Sequence, residues 1–363
     1  MIGHPEALTG ITRAALIGGL LTIVAACASS GATPTTASAT PTTASVSTAT
    51  TVSVPTTTAT AAILTLPPAT PTPPVATPTA AATSPGPAQP GTVVAWGLNT
   101  YGQTTVPTGL TGVIAIAAGY QHSVALKSDG TVVVWGINNS GQTKVPAGLT
   151  GVIAIAAGYY HSIALRSNGT VVGWGLNGYG QTKAPASLSG VIAIAAGAYH
   201  NLALKSNGTV VAWGYNAYGQ ATVPAGLSGV IAIAASYQYS LALKSDGTVV
   251  AWGLSGKAQA SLPAGLSGVT AIAAGYAHSL ALKSDGTVVA WGDKTYGQTT
   301  VPAGLSGVIA IAAGDWHSLA LKSDGTVVSW GDNSNGNTVP ASLSRVSAVA
   351  GGGRFSLAIV PNP

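Results

Sequence analysis

A Trp-Gly pair returns every 39 residues along this chain, at Trp96, Trp135, Trp174, Trp213, Trp252, Trp291 and Trp330. The Gly-Thr-Val run before it keeps the same step, from Gly91 through Gly325. A fixed period of about 20–50 residues marks a solenoid, a propeller or an array. In such chains each unit buries its apolar surface only against its neighbours. No other property of the sequence narrows the fold as far.

One repeat reads as short strands joined by turns. Val113-Ile114-Ala115-Ile116-Ala117-Ala118 is an apolar run, followed by the loop Gly119-Tyr120-Gln121-His122. Ser123-Val124-Ala125-Leu126-Lys127 comes next, then Ser128-Asp129-Gly130 and Thr131-Val132-Val133-Val134-Trp135-Gly136. Asp-Gly between two β-rich runs signals a hairpin, because both residues accept positive φ. Asn168 and Asn207 replace the Asp and keep that chemistry. Ile137-Asn138-Asn139-Ser140-Gly141 forms another loop, and Gln142-Thr143-Lys144-Val145 reads as a short outer strand ended by Pro146. No run has a 3.6-residue period, and Gly or Pro interrupts the chain throughout, which disfavours a helical repeat. The expected fold is all-β: a seven-bladed β-propeller with four short antiparallel strands per blade. The first repeat begins at a hairpin turn, at Gly91, and the last stops after Phe355-Ser356-Leu357-Ala358-Ile359-Val360. These are the halves of one hairpin. Pairing them closes the ring and removes two open edges.

Composition divides the chain into three. Residues 1–27 read as a targeting segment, residues 28–90 as a low-complexity stretch, and residues 91–363 as seven repeats of 39. The apolar run Ala14–Ala26 has the length of a signal-peptide core and is too short to span a bilayer. It ends in Val24-Ala25-Ala26-Cys27, and Cys27 is the only cysteine, so no intrachain disulfide forms. Small residues before a single Cys resemble the lipobox of bacterial lipoproteins. That resemblance makes Cys27 the lipidated first residue of an exported chain, anchored at the cell surface or envelope. Residues 28–90 hold no charged side chain and consist almost wholly of Thr, Ala, Ser, Pro and Val. Such a stretch has no apolar face to repay folding entropy and reads as a disordered stalk.

Charged residues make up only 6% of the chain. The repeats carry 12 Lys and Arg, 7 Asp and no Glu. Paired-carboxylate catalysis therefore has few candidates. There is no phosphate loop of the Gly-x-x-x-x-Gly-Lys type and no His-Glu-x-x-His zinc helix. His122, His161, His200, His278 and His317 hold one slot of the repeat, which Tyr239 and Phe355 fill elsewhere. A slot that accepts Tyr and Phe calls for a ring, not a metal ligand. No catalytic residue, metal or cofactor is expected, and the chain reads as a binding protein rather than an enzyme.

The pattern Gly-x-x-His-Ser-x-Ala-Leu-x-x-(Asp/Asn)-Gly-x-Val-x-x-Trp-Gly-x-Asn-x-x-Gly-Gln resembles the regulator of chromosome condensation repeat. The resemblance covers residues 91–363 and implies a rigid, non-enzymatic propeller scaffold. More narrowly, Val-Val-Ala-Trp-Gly with Gly-Gln-Thr-Thr-Val-Pro is similar to the secreted β-lactamase inhibitor protein II family. That family implies aromatic loops that contact the inhibited enzyme.

Strand direction sends the Asp-Gly turns to one end of the blades. The loop before each His and the loop after each Trp-Gly go to the other end. The tyrosines fall in or beside these two loop classes. Interfaces are enriched in Tyr and Trp. The expected partner-binding set is Tyr101, Tyr120, Tyr159, Tyr160, Tyr179, Tyr199, Tyr218, Tyr237, Tyr276, Tyr296, Asp315 and Trp316. On the opposite end, Lys127, Arg166, Lys205, Lys244, Lys283 and Lys322 recur beside the turns. They read as a solvated rim partly neutralised by Asp129, Asp246, Asp285 and Asp324. The functional expectation is a protein partner at the tyrosine-rich end, with membrane attachment through Cys27. Inhibition of a secreted enzyme such as β-lactamase and recognition of surface glycans are the alternatives. Nucleotide exchange on a small GTPase fits less well, because an export signal puts the chain in another compartment. No nucleic acid is expected.

Overall fold

The computed structural model describes residues 90–257 and 259–362. The expected signal segment, Cys27 and the Thr/Pro-rich stretch up to residue 89 lie outside the described residues. All regular structure that is described is β-strand. Strand β1 (Gly91–Gly97) comes first. Blade one follows as β2 (Val113–Ala118), β3 (His122–Lys127) and β4 (Val132–Gly136). Blade two is β5 (Val152–Ala157), β6 (His161–Arg166) and β7 (Val171–Gly175). Blade three is β8 (Val191–Ala196), β9 (His200–Lys205) and β10 (Val210–Gly214). Blade four is β11 (Val230–Ala235), β12 (Tyr239–Lys244) and β13 (Val249–Gly253). Blade five is β14 (Val269–Ala274), β15 (His278–Lys283) and β16 (Val288–Gly292). Blade six is β17 (Val308–Ala313), β18 (His317–Lys322) and β19 (Val327–Gly331). Blade seven joins β20 (Ala348–Gly351) and β21 (Phe355–Pro361) to β1.

The closure expected from the chain ends is present. β1 pairs with β21 from Gly91↔Pro361 to Gly97↔Phe355. The inner strands β2, β5, β8, β11, β14, β17 and β20 each lie against the next, and β20 returns to β2. They enclose a channel lined by alanine and isoleucine, with a cavity of about 140 Å³.

Each blade has three ladder strands where the sequence suggests four. The segment Gln142–Val145 lies where the outer strand was expected, but it is coiled into turns. Lys144 N–H donates to Gly141 O at 3.0 Å and Val145 N–H to Thr143 O at 3.2 Å, so local bonds replace a ladder. Pro146 removes the next donor. The hairpin turns also differ from a turn with positive φ at both residues. Gly130 has φ +79°, but Asp129 does not take positive φ. Asp129 Oδ1 instead accepts the Thr131 N–H at 2.9 Å and the Thr131 hydroxyl at 2.6 Å. This Asx bond holds Asp129 in ordinary backbone geometry and leaves the left-handed residue to glycine.

The repeating tryptophan fills the space between blades. Trp135 is 7% exposed and packs in the cluster of Val93, Val113, Ala125, Phe355, Leu357 and Ile359. Its indole N–H donates to Gln103 O at 2.9 Å. The same carbonyl accepts the Ser123 hydroxyl at 2.7 Å. Gln103 is fully buried, and its Oε1 accepts the Tyr101 N–H. The Gln at this position is a loop clamp in six repeats. The glycine after Trp is equally constrained: Gly136 has φ +104°, and a Cβ there would sit 2.6 Å from Gln121 O.

The histidines latch blade to blade. His122 Nε2 meets Ser162 Oγ at 3.0 Å, and His200 Nε2 meets Ser240 Oγ at 2.9 Å. The Ser162 and Ser240 hydroxyl protons go to Gln142 O and Gln220 O. Each serine must then accept from an imidazole Nε2–H, which fixes the tautomer. Burial holds His122 and His200 at a pKa of about 3 and His161 and His317 at about 4, so the rings are neutral. Tyr239 replaces the latch on blade four: its hydroxyl lies 3.0 Å from Ser279 Oγ and donates to the His278 carbonyl. Phe355 has no polar atom to offer at the seam between blades seven and one.

Candidate aromatic binding face

The two loop classes meet at one end of the ring, as strand direction requires. The register pairs His122 with Gly136 at that end, while Lys127 and Val132 flank the turn at the other. The residues just before each His slot rim the channel mouth. The residues after each Trp-Gly form an outer tier.

Most of the expected aromatics touch one another. Tyr120 and Tyr159 stack with ring centroids 4.7 Å apart and 18° between planes. Tyr237 and Tyr276 stack at 4.3 Å, and Tyr276 meets Trp316 at 4.6 Å. Tyr159 joins the two groups by touching Tyr160, Tyr199 and Tyr237. Tyr199 then leads outward to Tyr179 at 5.7 Å. Tyr296 extends the other end by meeting Trp316 edge-on at 5.3 Å. Aromatic pairs in such geometry contribute about 0.5–1.5 kcal/mol each beyond burial. The cluster is therefore preorganised.

Tyr101, Tyr179, Tyr218 and Tyr296 are exposed, at 46%, 54%, 46% and 45%. Tyr120, Tyr159, Tyr160, Tyr199, Tyr237, Tyr276 and Trp316 are half-buried. Tyr101 stands near enough to Tyr160 to add to the rise in its pKa, which burial mainly causes. Burial, with Tyr237 beside it, raises Tyr276 to about 12. Tyr215 belongs to the surface although the expected set omits it. It meets Tyr179 at 4.6 Å and Tyr218 at 6.2 Å. Its signal was its place directly after Trp213-Gly214, where the other repeats carry Leu, Ile or Asp.

Asp315 does not reach the surface. It is 7% exposed and lies beneath Tyr159, whose hydroxyl donates to Asp315 Oδ2 at 3.0 Å. Burial raises its pKa to about 8, against the pull of the Tyr159 bond and of Arg354. At neutral pH this carboxyl is protonated. Tyr159 and Asp315 border a cavity of about 60 Å³ at the channel mouth.

The basic ring at the opposite end is largely paired. Lys127–Asp129, Lys244–Asp246, Lys283–Asp285 and Lys322–Asp324 are ion pairs of 2.8, 2.9, 3.4 and 3.0 Å. Arg166 Nε donates to Thr150 O. Exposed pairs of this kind add little stability. They neutralise four of the six cations, which makes the rim partly neutralised as expected.

The model of the regulator of chromosome condensation (RCC1) repeat matches residues 113–142, 152–181, 191–220, 230–259, 269–298 and 308–337. Each span runs from an inner strand to the Gln or Asn of the loop clamp. The chain belongs to the RCC1 repeat family. Blade seven, divided between the chain ends, lies outside the matched spans of this RCC1 protein. No curated protein matches the sequence. Among solved structures the fold is similar to Prp20p of Saccharomyces cerevisiae, described with its binding to Gsp1p and histones. The TM-score is 0.65 at 21% identity, over 78% of this chain and 94% of Prp20p. Human WBSCR16 aligns with a TM-score of 0.61 at 20% identity, over 74% of this chain and 98% of its own. The CRINKLY ectodomain of the Arabidopsis thaliana receptor kinase ACR4 gives 0.55 at 22% identity, over 68% and 93%. At these identities the likeness is one of fold.

Proposed function

We propose that this RCC1-repeat propeller is a non-enzymatic module that binds a partner protein through its tyrosine-rich face. The carrying observation is the continuous aromatic surface from Tyr218 to Tyr296, joined through Tyr159. Tyr and Trp concentrate binding energy at protein interfaces because they bury much area at little entropic cost. Prp20p, which shares the fold, is described as binding Gsp1p and histones, and as bound to Kap60. Those partners are Prp20p's own; what carries over is the use of the scaffold for protein recognition. Latched histidines and a capped Asp315 leave the face poor in reactive groups, in keeping with binding rather than catalysis.

The proposal includes export and lipid attachment at Cys27, on the strength of the run Ala14–Ala26 and the small residues before the cysteine. Pro90 accepts the Asn362 N–H at 3.3 Å at the Asp-Gly end of the ring, so the described chain starts away from the tyrosines. Metabolic lipid labelling of wild type and Cys27→Ser tests this part; equal labelling refutes the anchor.

Affinity capture by the wild type beside a Tyr160→Ala, Tyr199→Ala, Trp316→Ala variant tests the face. Equal capture defeats the assignment. Inhibition of a secreted enzyme such as β-lactamase is the narrower reading, supported by the aromatic loops. Absence of inhibition at micromolar enzyme and chain ends that reading without touching the broader one.

A further inference from the structure

The tyrosine face divides by charge. Its loops from Leu98 to Gln103, Gly119 to Gln121, Ile137 to Gln142 and Gly158 to Tyr160 contain no ionisable side chain other than tyrosine. The same holds for Leu176 to Gln181, Gly197 to Tyr199, Tyr215 to Gln220 and Ser236 to Gln238. The charged members of the face, Lys257, Asp293, Lys294, Asp332 and Arg354, all belong to the remaining loops. A ligand bearing charge would lose hydration against the first half without gaining a counter-charge.

Within the uncharged half, Tyr120 and Tyr159 stack at the channel mouth, but the outer tier presents its rings differently. Tyr179 meets Tyr215 at 52° and Tyr199 at 71°, and Tyr215 meets Tyr218 at 70°. Rings tilted or set edge-on leave π-faces and hydroxyls open, whereas stacked rings hide them. An extended polyproline II segment suits such a surface. It repeats every three residues, or about 9 Å, and has no internal hydrogen bonds, so its carbonyls accept from tyrosine hydroxyls. Its low conformational entropy makes recognition by an aromatic-lined groove economical.

The chain supplies a segment of matching composition. Residues 28–90 carry 12 of the 22 prolines and no charge. The densest run is Pro67, Pro68, Pro71, Pro73, Pro74 and Pro78. This segment joins the ring at Gly91, where β1 pairs with Pro361. Seven residues of strand, about 20 Å, separate that point from Gly97 at the tyrosine end. The described chain therefore begins on the far side of the ring from the tyrosines.

We propose that the uncharged half of the tyrosine face binds proline-rich polypeptide, and that its occupant is residues 63–80 of a second copy of this chain. This rests on the reading that the face binds protein. The test titrates the purified full chain against a fluorescein-labelled synthetic peptide of residues 63–80, read by polarisation. Saturable binding is expected. It should weaken at least tenfold for a Tyr179→Ala, Tyr215→Ala variant, and equally for a peptide with every proline changed to alanine. Tyr296→Ala, in the charged half, should leave it unchanged. Sedimentation of the full chain should show concentration-dependent self-association that excess peptide disperses. No saturable binding, equal binding of the alanine peptide, or a chain that stays monomeric at all concentrations overturns the proposal. If the peptide fails to bind while the face variants still lose partner capture, self-recognition falls and the protein-binding reading stands. If the variants lose neither, both fall.

Discussion

The Tyr159 hydroxyl donates to Asp315 Oδ2 at 3.0 Å and bridges blades two and six across the mouth of the channel. The ring above this bond touches Tyr120, Tyr160, Tyr199 and Tyr237. A buried group thus sets the position of the central ring of the candidate surface. Asp315 acts here through Tyr159, as a positioning residue.

This pair and the histidine latches make stability depend on pH in opposite senses. The folded-state pKa of Asp315 is raised to about 8, so its contribution is full at low pH and is lost as pH rises toward 8. The buried histidines are depressed to about 3 or 4 from 6.5, so their contribution is full above pH 6.5 and is lost as pH falls. Between pH 4 and 6.5 the histidines outnumber the aspartate, and stability should rise with pH. Above about pH 7 the unfolded-state histidines are nearly all neutral, Asp315 dominates among these groups, and stability should fall toward pH 8. Urea denaturation from pH 5 to 9 should show a maximum at about pH 7. Asp315→Asn should flatten the descending limb; a limb that survives it assigns the titration elsewhere.

The latches have a defined tautomer. Ser162, Ser240 and Ser318 spend their protons on Gln142 O, Gln220 O and Gln298 O, so His122, His200 and His278 must donate from Nε2. Long-range 15N spectra should find Nε2–H and a bare Nδ1 for each. Ser240→Ala leaves the His200 Nε2–H buried without an acceptor and should cost about 1–3 kcal/mol. His200→Phe should be milder than His200→Ala, because it fills the slot as Phe355 does. A Ser240→Ala protein as stable as wild type would remove the latch from the account.

The tryptophan position separates volume from hydrogen bonding. Trp174 is 6% exposed and its indole donates to Gln142 O at 2.9 Å. Trp174→Phe keeps most of the volume and should cost roughly 1–2 kcal/mol for the lost bond and methylene-scale gap. Trp174→Ala opens a cavity between blades one and two and should cost about 3–5 kcal/mol. Equal losses in thermal denaturation would mean that the inter-blade volume is not what the ring needs.

The blades were legible because a period is a global property, carried by Trp-Gly, Asp-Gly and the His slot in nearly every copy. The ring closure was legible for the same reason: Gly91 and Val360 are halves of a unit seen whole elsewhere. Gln142 was misassigned to a strand. Its β-like neighbours Thr143 and Val145 hid the fact that a buried amide, closing a loop onto Ser140 N–H, outcompetes the ladder. Asp315 was grouped with the surface because loop position says nothing of depth. Only the arrival of Tyr159, 156 residues away in sequence, covers it. Tyr215 was passed over because its slot is apolar in most other repeats, and sequence does not show that this slot opens beside Tyr179.

The aromatic surface should separate into residues that bind and residues that hold. Tyr179 and Tyr218 are exposed, and Tyr218 touches only Tyr215 among the rings. Tyr179→Ala and Tyr218→Ala should change unfolding free energy by no more than about 0.5–1 kcal/mol. If they are interface anchors, each should weaken partner binding by more than about fivefold. Tyr159→Phe keeps every ring contact and removes only the bond to Asp315. It leaves a buried carboxyl unpaired and should cost about 1–3 kcal/mol of stability while the exposed rings stay in place. Calorimetric binding and thermal denaturation on the same three proteins distinguish the roles. Binding lost in Tyr159→Phe at full stability, with Tyr179→Ala and Tyr218→Ala unaffected, would shift the contact surface from the outer tier to the channel mouth.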